Sequence, residues 1–292
     1  MGRVLMVALA VCAVAAQDAG QRPTFRAGVR TVAIYATVSD REGRLVPDLG
    51  RDAFEVLDDG RPAELTVFSN ESQPITMAVM LDMSGSMLGK FLRVRASTLS
   101  LVNGLQAGDR ARIGTFGDEV AVSPLLTGDK EVLSRVLHQE LWPGGGTPLW
   151  AGLDAAMTSL AGEGGRRVVL VLTDGMDTTS STFFPRSRSP GALQKSAIDE
   201  GFMVYAIGME GSGLESGIVD MAEQTGGGHF ELKSNASLTE TFARVVEELR
   251  HQYLLGFVPA SLDGKTHRLQ VRLKPSGLQV RARKNYRAEP ER

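Results

Sequence analysis

The 292-residue sequence is poor in the side chains that build most metal and redox centres: one cysteine, four scattered histidines, two tryptophans and four tyrosines. A single thiol excludes a disulfide framework, a cysteine-based zinc site and an iron–sulfur cluster. The histidines (His138, His229, His251 and His267) form no short-spaced metal-binding pair. Charge of one sign is also missing, since 32 Lys+Arg meet 34 Asp+Glu for a formal net charge of −2. That balance argues against a nucleic-acid partner, which needs a basic surface to release phosphate counterions. There is no Walker A sequence, no Gly-x-Gly-x-x-Gly between a strand and a helix, and no Gly-x-Ser-x-Gly elbow. Nucleotide chemistry and serine hydrolysis therefore lack their usual scaffolds. What is present is an ordinary globular composition, 42% hydrophobic and 23% charged, long enough for two domains at about 100–200 residues each.

The N-terminus sets an expected compartment. Met-Gly-Arg precedes an unbroken apolar run, Val4 to Ala16, too short to span a bilayer, which takes about 20 residues. One positive charge, a short apolar core and the small-residue site Ala13-Val14-Ala15 match a secretory signal peptide over residues 1–16. Val11 before Cys12 stands where a lipidation signal usually wants a small residue, so lipid anchoring is the lesser alternative. Cleavage near Ala15 or Ala16 would leave a chain without cysteine, suited to an oxidising periplasmic or extracellular space. No later segment reaches 18 consecutive apolar residues, so no stable membrane insertion is expected.

Three zones follow. Residues 26–72 are β-like, with alternation from Thr31 to Val38. Phe54–Leu57 and Glu64–Phe68 flank the turn Asp58-Asp59-Gly60, which reads as a hairpin. From 74 to 250 strands and helices alternate, the pattern of a doubly wound α/β domain around a parallel sheet. Strands are expected at Ile75–Leu81, Ala111–Phe116, Arg167–Leu172 and Phe202–Ile207, and helices at Phe91–Leu105, Leu149–Leu160, Ala192–Glu200 and Ile218–Gln224. Ser237 with Glu240 forms a capping box before the apolar stripe Leu238, Phe242, Val245, Val246, Leu249. Residues 252–287 return to β. Neither β zone is long enough for a comfortable core, so the two are expected to pair into one small β-sandwich with the α/β domain inserted between them.

Chemistry concentrates at strand ends. Ile75–Leu81 runs into Asp82-Met83-Ser84-Gly85-Ser86, placing a carboxylate and two hydroxyls in the loop where open α/β sheets bind ligands. Arg167–Leu172 runs into Thr173-Asp174-Gly175, a second carboxylate at the same edge. Between them Gly144-Gly145-Gly146-Thr147-Pro148-Leu149 delivers one more hydroxyl just before a helix. An all-oxygen set selects a hard cation such as Mg²⁺ or Mn²⁺ over zinc.

In this order the three segments resemble the metal-ion-dependent adhesion site (MIDAS) of von Willebrand factor type A domains, matched by Asp82, Ser84, Ser86, Thr147 and Asp174. The flanks Arg44–Leu49 and Phe54–Gly60 and the tail Tyr253–Phe257 resemble the bacterial secreted proteins called VWFA-related. The resemblance implies a Rossmann-like fold over 74–250. It also implies that Ser84, Ser86 and Thr147 contact the cation, with Asp82 and Asp174 binding directly or through water. An ion facing mostly neutral ligands keeps much of its charge and can accept one more carboxylate from outside. The expectation is thus a non-catalytic, cation-dependent adhesion module that grips a Glu or Asp of a protein partner. The alternatives are a metal-dependent hydrolase using Asp82 and Asp174, or a metal-free envelope scaffold.

Several other groups invite a role. Asp118 and Asp177 fall at the same sheet edge and could orient bound waters, or be solvated loop acids. Phe183, Phe184, Arg186 and Arg188 could border the metal and contact a partner. Trp142 and Trp150 bracket the glycine loop as core or loop anchors, and His229 reads as structural. Residues 250–292 hold ten Lys+Arg against three Asp+Glu, read as solvated strand faces and edge charges rather than a surface for anionic polymers.

Overall fold

The computed structural model describes residues 31–139, 144–178, 188–211, 213–232 and 237–290. The expected signal peptide, Trp142, Phe183, Phe184 and Arg186 lie outside them. In chain order the elements are β1 (Val32–Ser39), β2 (Phe54–Asp58), β3 (Arg61–Ala63), β4 (Leu65–Ser69), β5 (Ile75–Asp82), α1 (Phe91–Asn103), β6 (Arg110–Phe116), β7 (Val120–Val122), α2 (Lys130–Gln139), α3 (Leu149–Leu160), β8 (Arg166–Thr173), α4 (Pro190–Glu200), β9 (Met203–Gly208), α5 (Ser216–Thr225), β10 (His229–Glu231), α6 (Leu238–Arg250), β11 (Tyr253–Phe257), β12 (Thr266–Leu273), β13 (Gln279–Arg281) and β14 (Asn285–Arg287).

The central sheet runs β10-β9-β8-β5-β6-β7, parallel except for the edge strand β7. β5 is buried at every position, as a strand covered on both faces must be. Ile75, Met77, Val79 and Leu81 share one core with α1, α2 and α6, while Ala78 and Met80 face α3, α4 and α5. The chain leaves β5 for β6 on one side and later returns to β8 on the other. The winding therefore reverses between β5 and β8, and the crevice beyond their C-terminal ends is the binding position of such sheets. The two expected carboxylates sit there.

The terminal β zones interleave. Sheet β13-β1-β11-β4 and sheet β14-β12-β2-β3 each take strands from before and after the α/β segment. They enclose a third core around Ile34, Phe54, Tyr253, Phe257 and Tyr286. The hairpin expectation needs one correction. β2 pairs with the three-residue β3, and β4 then crosses to the other sheet to pair with β11. The turn is real, with Asp59 at φ 47° and Gly60 at φ 80°, but Phe68 joins the sandwich from the opposite layer.

The basic tail also departs from expectation. Arg250 pairs with Asp109, Arg281 with Glu248, Lys284 with Glu223 and Arg287 with Asp199. Charges that read as solvated faces in fact pair with acids of the α/β segment. One helix, α2, was not anticipated. Asp129 caps it by accepting from the N–H groups of Glu131 and Val132, and among its described side chains it buries only Leu133, Val136 and Leu137.

Candidate metal centre

β5 ends at Asp82, which is wholly buried. Its Oδ1 accepts the Ser84 N–H at 2.8 Å, and its Oδ2 accepts the Thr173 hydroxyl at 2.6 Å from the end of β8. The first contact is the Asx turn that such a sequence favours, and it aims the following serines. Ser84 Oγ lies 3.0 Å from Ser86 Oγ, and Ser86 Oγ donates to Asp174 Oδ1 at 2.8 Å. Three of the five expected side chains thus form one continuous chain of oxygens, with Asp82 directly beneath it through the Ser84 backbone.

The glycine loop is laced to this row. Gly85 donates its N–H to the Gly145 carbonyl at 3.1 Å, and Gly144 donates to the Met83 carbonyl at 2.7 Å. Gly145 sits at φ 76°, and a Cβ there would fall 2.1 Å from an Asp118 carboxylate oxygen; only glycine fits. Thr147 is buried, and its N–H and C=O bond to the hydroxyl and N–H of Thr178, four residues past Asp174. All three loops named from sequence therefore meet at one edge. Asp118 packs against the glycines, its N–H donating to the Gly144 carbonyl at 3.0 Å. Asp177 accepts from the N–H of Trp150, so it caps the start of α3. Trp150 itself is core and donates its indole N–H to Glu215, and His229 lies exposed on the edge strand β10.

Sequence reasoning missed Lys90. Its ammonium lies 2.6 Å from Asp174 Oδ2 and 2.6 Å from the Glu210 carbonyl. A signal existed, because it is the first basic residue after the Asp-x-Ser-x-Ser loop and only four positions past Ser86.

The electrostatics of the two acids differ. Burial pushes the Asp82 carboxyl above its ordinary value, against the pull of its bonds to Thr173 and Ser84, and the nearby Asp174 adds to the rise. No cation of the protein touches it among the described residues. Asp174 has one, Lys90.

Residues 77–244 match the von Willebrand factor type A domain, more than half of the chain. The chain belongs to this family. Its domains are typically metal-dependent protein-interaction modules. Among solved structures, the chain is similar to a von Willebrand factor type A protein from Catenulispora acidiphila, with TM-score 0.52 and 13% identity over 88% of this chain and 73% of that one. It is also similar to proximal thread matrix protein 1 from the mussel byssus, solved with a zinc-occupied MIDAS motif, with TM-score 0.53 and 17% identity over 67% of this chain and 50% of that one. At these identities the likeness is one of fold. No curated protein matches the chain.

The donors present fit a hard divalent ion. They are all oxygen, largely neutral, and gathered around a buried carboxylate that lacks a countercharge. Lys90 against Asp174 shows that the centre already attracts positive charge. A second group of metal-ligating residues, Asp58, Asp59 and His267, has ligand atoms within 4.8 Å of one another. It belongs to the sandwich, and its imidazole is held by Asp58 at 2.9 Å and Asp263 at 3.2 Å.

Proposed function

We propose that this von Willebrand A domain protein is a non-catalytic binding module of the cell envelope or secreted space that grips an acidic partner residue through a divalent cation. Ser84, Ser86 and Thr147 would hold the ion, with Asp82 and Asp174 binding it directly or through water, and Mg²⁺ or Mn²⁺ favoured by the oxygen-only donor set. Zinc occupies the corresponding motif of the mussel protein, so the centre is treated as divalent first and metal-specific second. Bound there, the cation supplies a Lewis-acidic position for a carboxylate from outside. The single observation that carries the reading is Asp82, a buried carboxylate whose partners are all neutral donors.

The surroundings support a protein partner. Leu88, Leu92, Leu125, Met176 and Val258 are the large hydrophobics left exposed among the described residues. Leu88 and Leu92 follow Ser86, and Met176 follows Asp174, so three of the five lie within six positions of a candidate ligand along the chain. Apolar side chains around a charged anchor make the usual pattern of a binding hot spot. A hydrolase would want a base beside the ion. The described side-chain bonds of Asp82, Ser84, Ser86 and Asp174 run among hydroxyls, the Ser84 N–H, Lys90 and the Asp174 carboxylate itself, with no histidine among them. Export rests on the N-terminal sixteen residues, and no described helix is long and apolar enough to cross a membrane.

Thermal unfolding with and without millimolar Mg²⁺ or Mn²⁺ tests the centre. A ligand at 100 times its Kd stabilises by roughly 2.7 kcal/mol, enough to raise Tm by several degrees. Asp82→Ala should remove the rise while the α/β domain stays folded. A wild-type protein whose Tm ignores both ions would end this reading.

A further inference from the structure

The contact of Lys90 with Asp174 reaches beyond structural support. Asp174 is bonded by the protein at both oxygens: Ser86 Oγ donates to Oδ1 at 2.8 Å, and Lys90 Nζ donates to Oδ2 at 2.6 Å. The Lys90 side chain is 22% exposed and that of Asp174 3%, so the pair is shielded from solvent screening. The ammonium is fixed from a second direction by the Glu210 carbonyl at 2.6 Å. The Glu210 carboxylate in turn lies 3.7 Å from Arg93 on the first turn of α1. Lys90 is therefore placed by three elements: the turn before α1, the loop after β8 and the loop after β9.

We propose that Lys90 is a built-in counter-ion that ties Asp174 back from the cation and leaves the loaded centre net positive, lowering its affinity for the ion and raising its affinity for a partner's carboxylate. This rests on the cation-dependent reading above and adds to it which residue sets the balance. The charge count gives the direction. Two carboxylates and one ammonium leave the empty centre with a single negative charge, so a divalent ion makes it singly positive. Without the ammonium, the loaded centre would be neutral and the incoming acid would meet no net attraction. Direct ligation by Asp174 would also drain charge from the ion, and the bond to Lys90 competes with it. A like charge close to the ion opposes its entry across a partly buried, low-dielectric site.

The two effects have opposite signs, which separates this role from that of a loop staple. Calorimetry with Mn²⁺ alone should show Lys90→Gln and Lys90→Met binding the ion about tenfold or more tightly than wild type. Acetate serves as the probe of the vacant position, read at saturating Mn²⁺ by paramagnetic broadening of its methyl resonance. It should bind several-fold more weakly to both variants. Glutamine retains a donor for Asp174, so it separates loss of charge from loss of the contact. Equal or weaker Mn²⁺ binding by folded variants overturns the proposal, as does unchanged acetate binding or failure of both variants to fold. If wild type and variants alike take up no Mn²⁺, the cation reading falls as well. If wild type binds Mn²⁺ and neither variant binds it more tightly, only the role of the lysine falls.

Discussion

At the N-terminal end of the central sheet, Asp109 accepts from Nη1 and Nη2 of Arg250 and from the N–H groups of Ile75 and Gln106. At the C-terminal end, Asp82 is buried at least as deeply and accepts one N–H and one hydroxyl. Burial raises both carboxyls; at Asp109 the bonds from Arg250 and two backbone amides outweigh it and hold the group below its ordinary value, whereas Asp82 stays above. Nearby, Arg166 is held differently, by neutral acceptors alone. It donates to the carbonyls of Leu249 and Gln73 and to Gln252, and lies 5.2 Å over the Tyr35 ring. Burial brings it down to about 10, still protonated at neutral pH. The difference teaches how to sort buried acids. One supplied with its own cation fastens the fold, and one supplied only with neutral donors is the candidate for a cation from outside, as proposed above.

Removing the internal cation at the fastening end should do the most damage. Arg250→Ala would leave Asp109 buried and uncompensated, at a cost of about 3–5 kcal/mol. It would also unlatch the point where the chain enters β5 and leaves α6. A urea midpoint should report the loss, and adding Asp109→Asn should recover part of it. A cost under about 1 kcal/mol would mean that this end is not a fastening at all.

His267 extends the comparison into the sandwich. Its imidazole faces Asp58, Asp59 and Asp263, while the Tyr286 hydroxyl donates to Asp58. Burial works to lower its pKa, but the hydrogen bonds to Asp58 and Asp263 and the charges of Asp58 and Asp59 prevail and raise it. A group whose folded pKa is raised adds stability below its unfolded value near 6.5, and that stability is lost as pH climbs through the folded value. Urea unfolding of wild type should therefore weaken from mildly acid to mildly alkaline pH relative to His267→Gln. At acid pH the variant should be about 1–2 kcal/mol less stable. A difference that does not change with pH would show that folding leaves the imidazole's pKa unshifted, and one that grows toward alkaline pH would show that it is held neutral.

Which parts of this were legible in the sequence follows from how local each signal is. β5, β6, β8 and β9 start and end within about one residue of expectation, because continuous apolar runs bounded by polar loops mark buried parallel strands. Four of the five candidate site residues lie in two short motifs at strand ends, which parallel topology brings together without further information, while Thr147 lies in the glycine loop before α3. The pairings Lys90–Asp174, Arg250–Asp109 and Arg281–Glu248 were not legible, even where, as for Lys90, the residue's position was a signal. Each is a pairing between distant segments, 141 positions apart for Arg250 and Asp109, and charge alone does not name its partner. The hairpin failed for a similar reason. Three residues containing Pro62 suffice to pair with β2, and nothing local says that Leu65 changes sheets. α2 was overlooked because its apolar face is only three residues wide.

The smallest expected effect is the most informative about the comparison. Asp82→Asn keeps the shape of the carboxylate and an oxygen for the Ser84 N–H, while Thr173 can turn its hydroxyl toward the Gly175 carbonyl, 3.2 Å away. In cation-free buffer the substitution should change unfolding free energy by less than about 1 kcal/mol, because it removes a buried charge that has no countercharge to lose. Asp109→Asn should be far more costly, since it strands the Arg250 guanidinium. Were the two substitutions to cost the same, the distinction between fastening acids and waiting acids would fail. Asp82 would then be one more structural carboxylate, conserving strand geometry at the sheet's edge and nothing else.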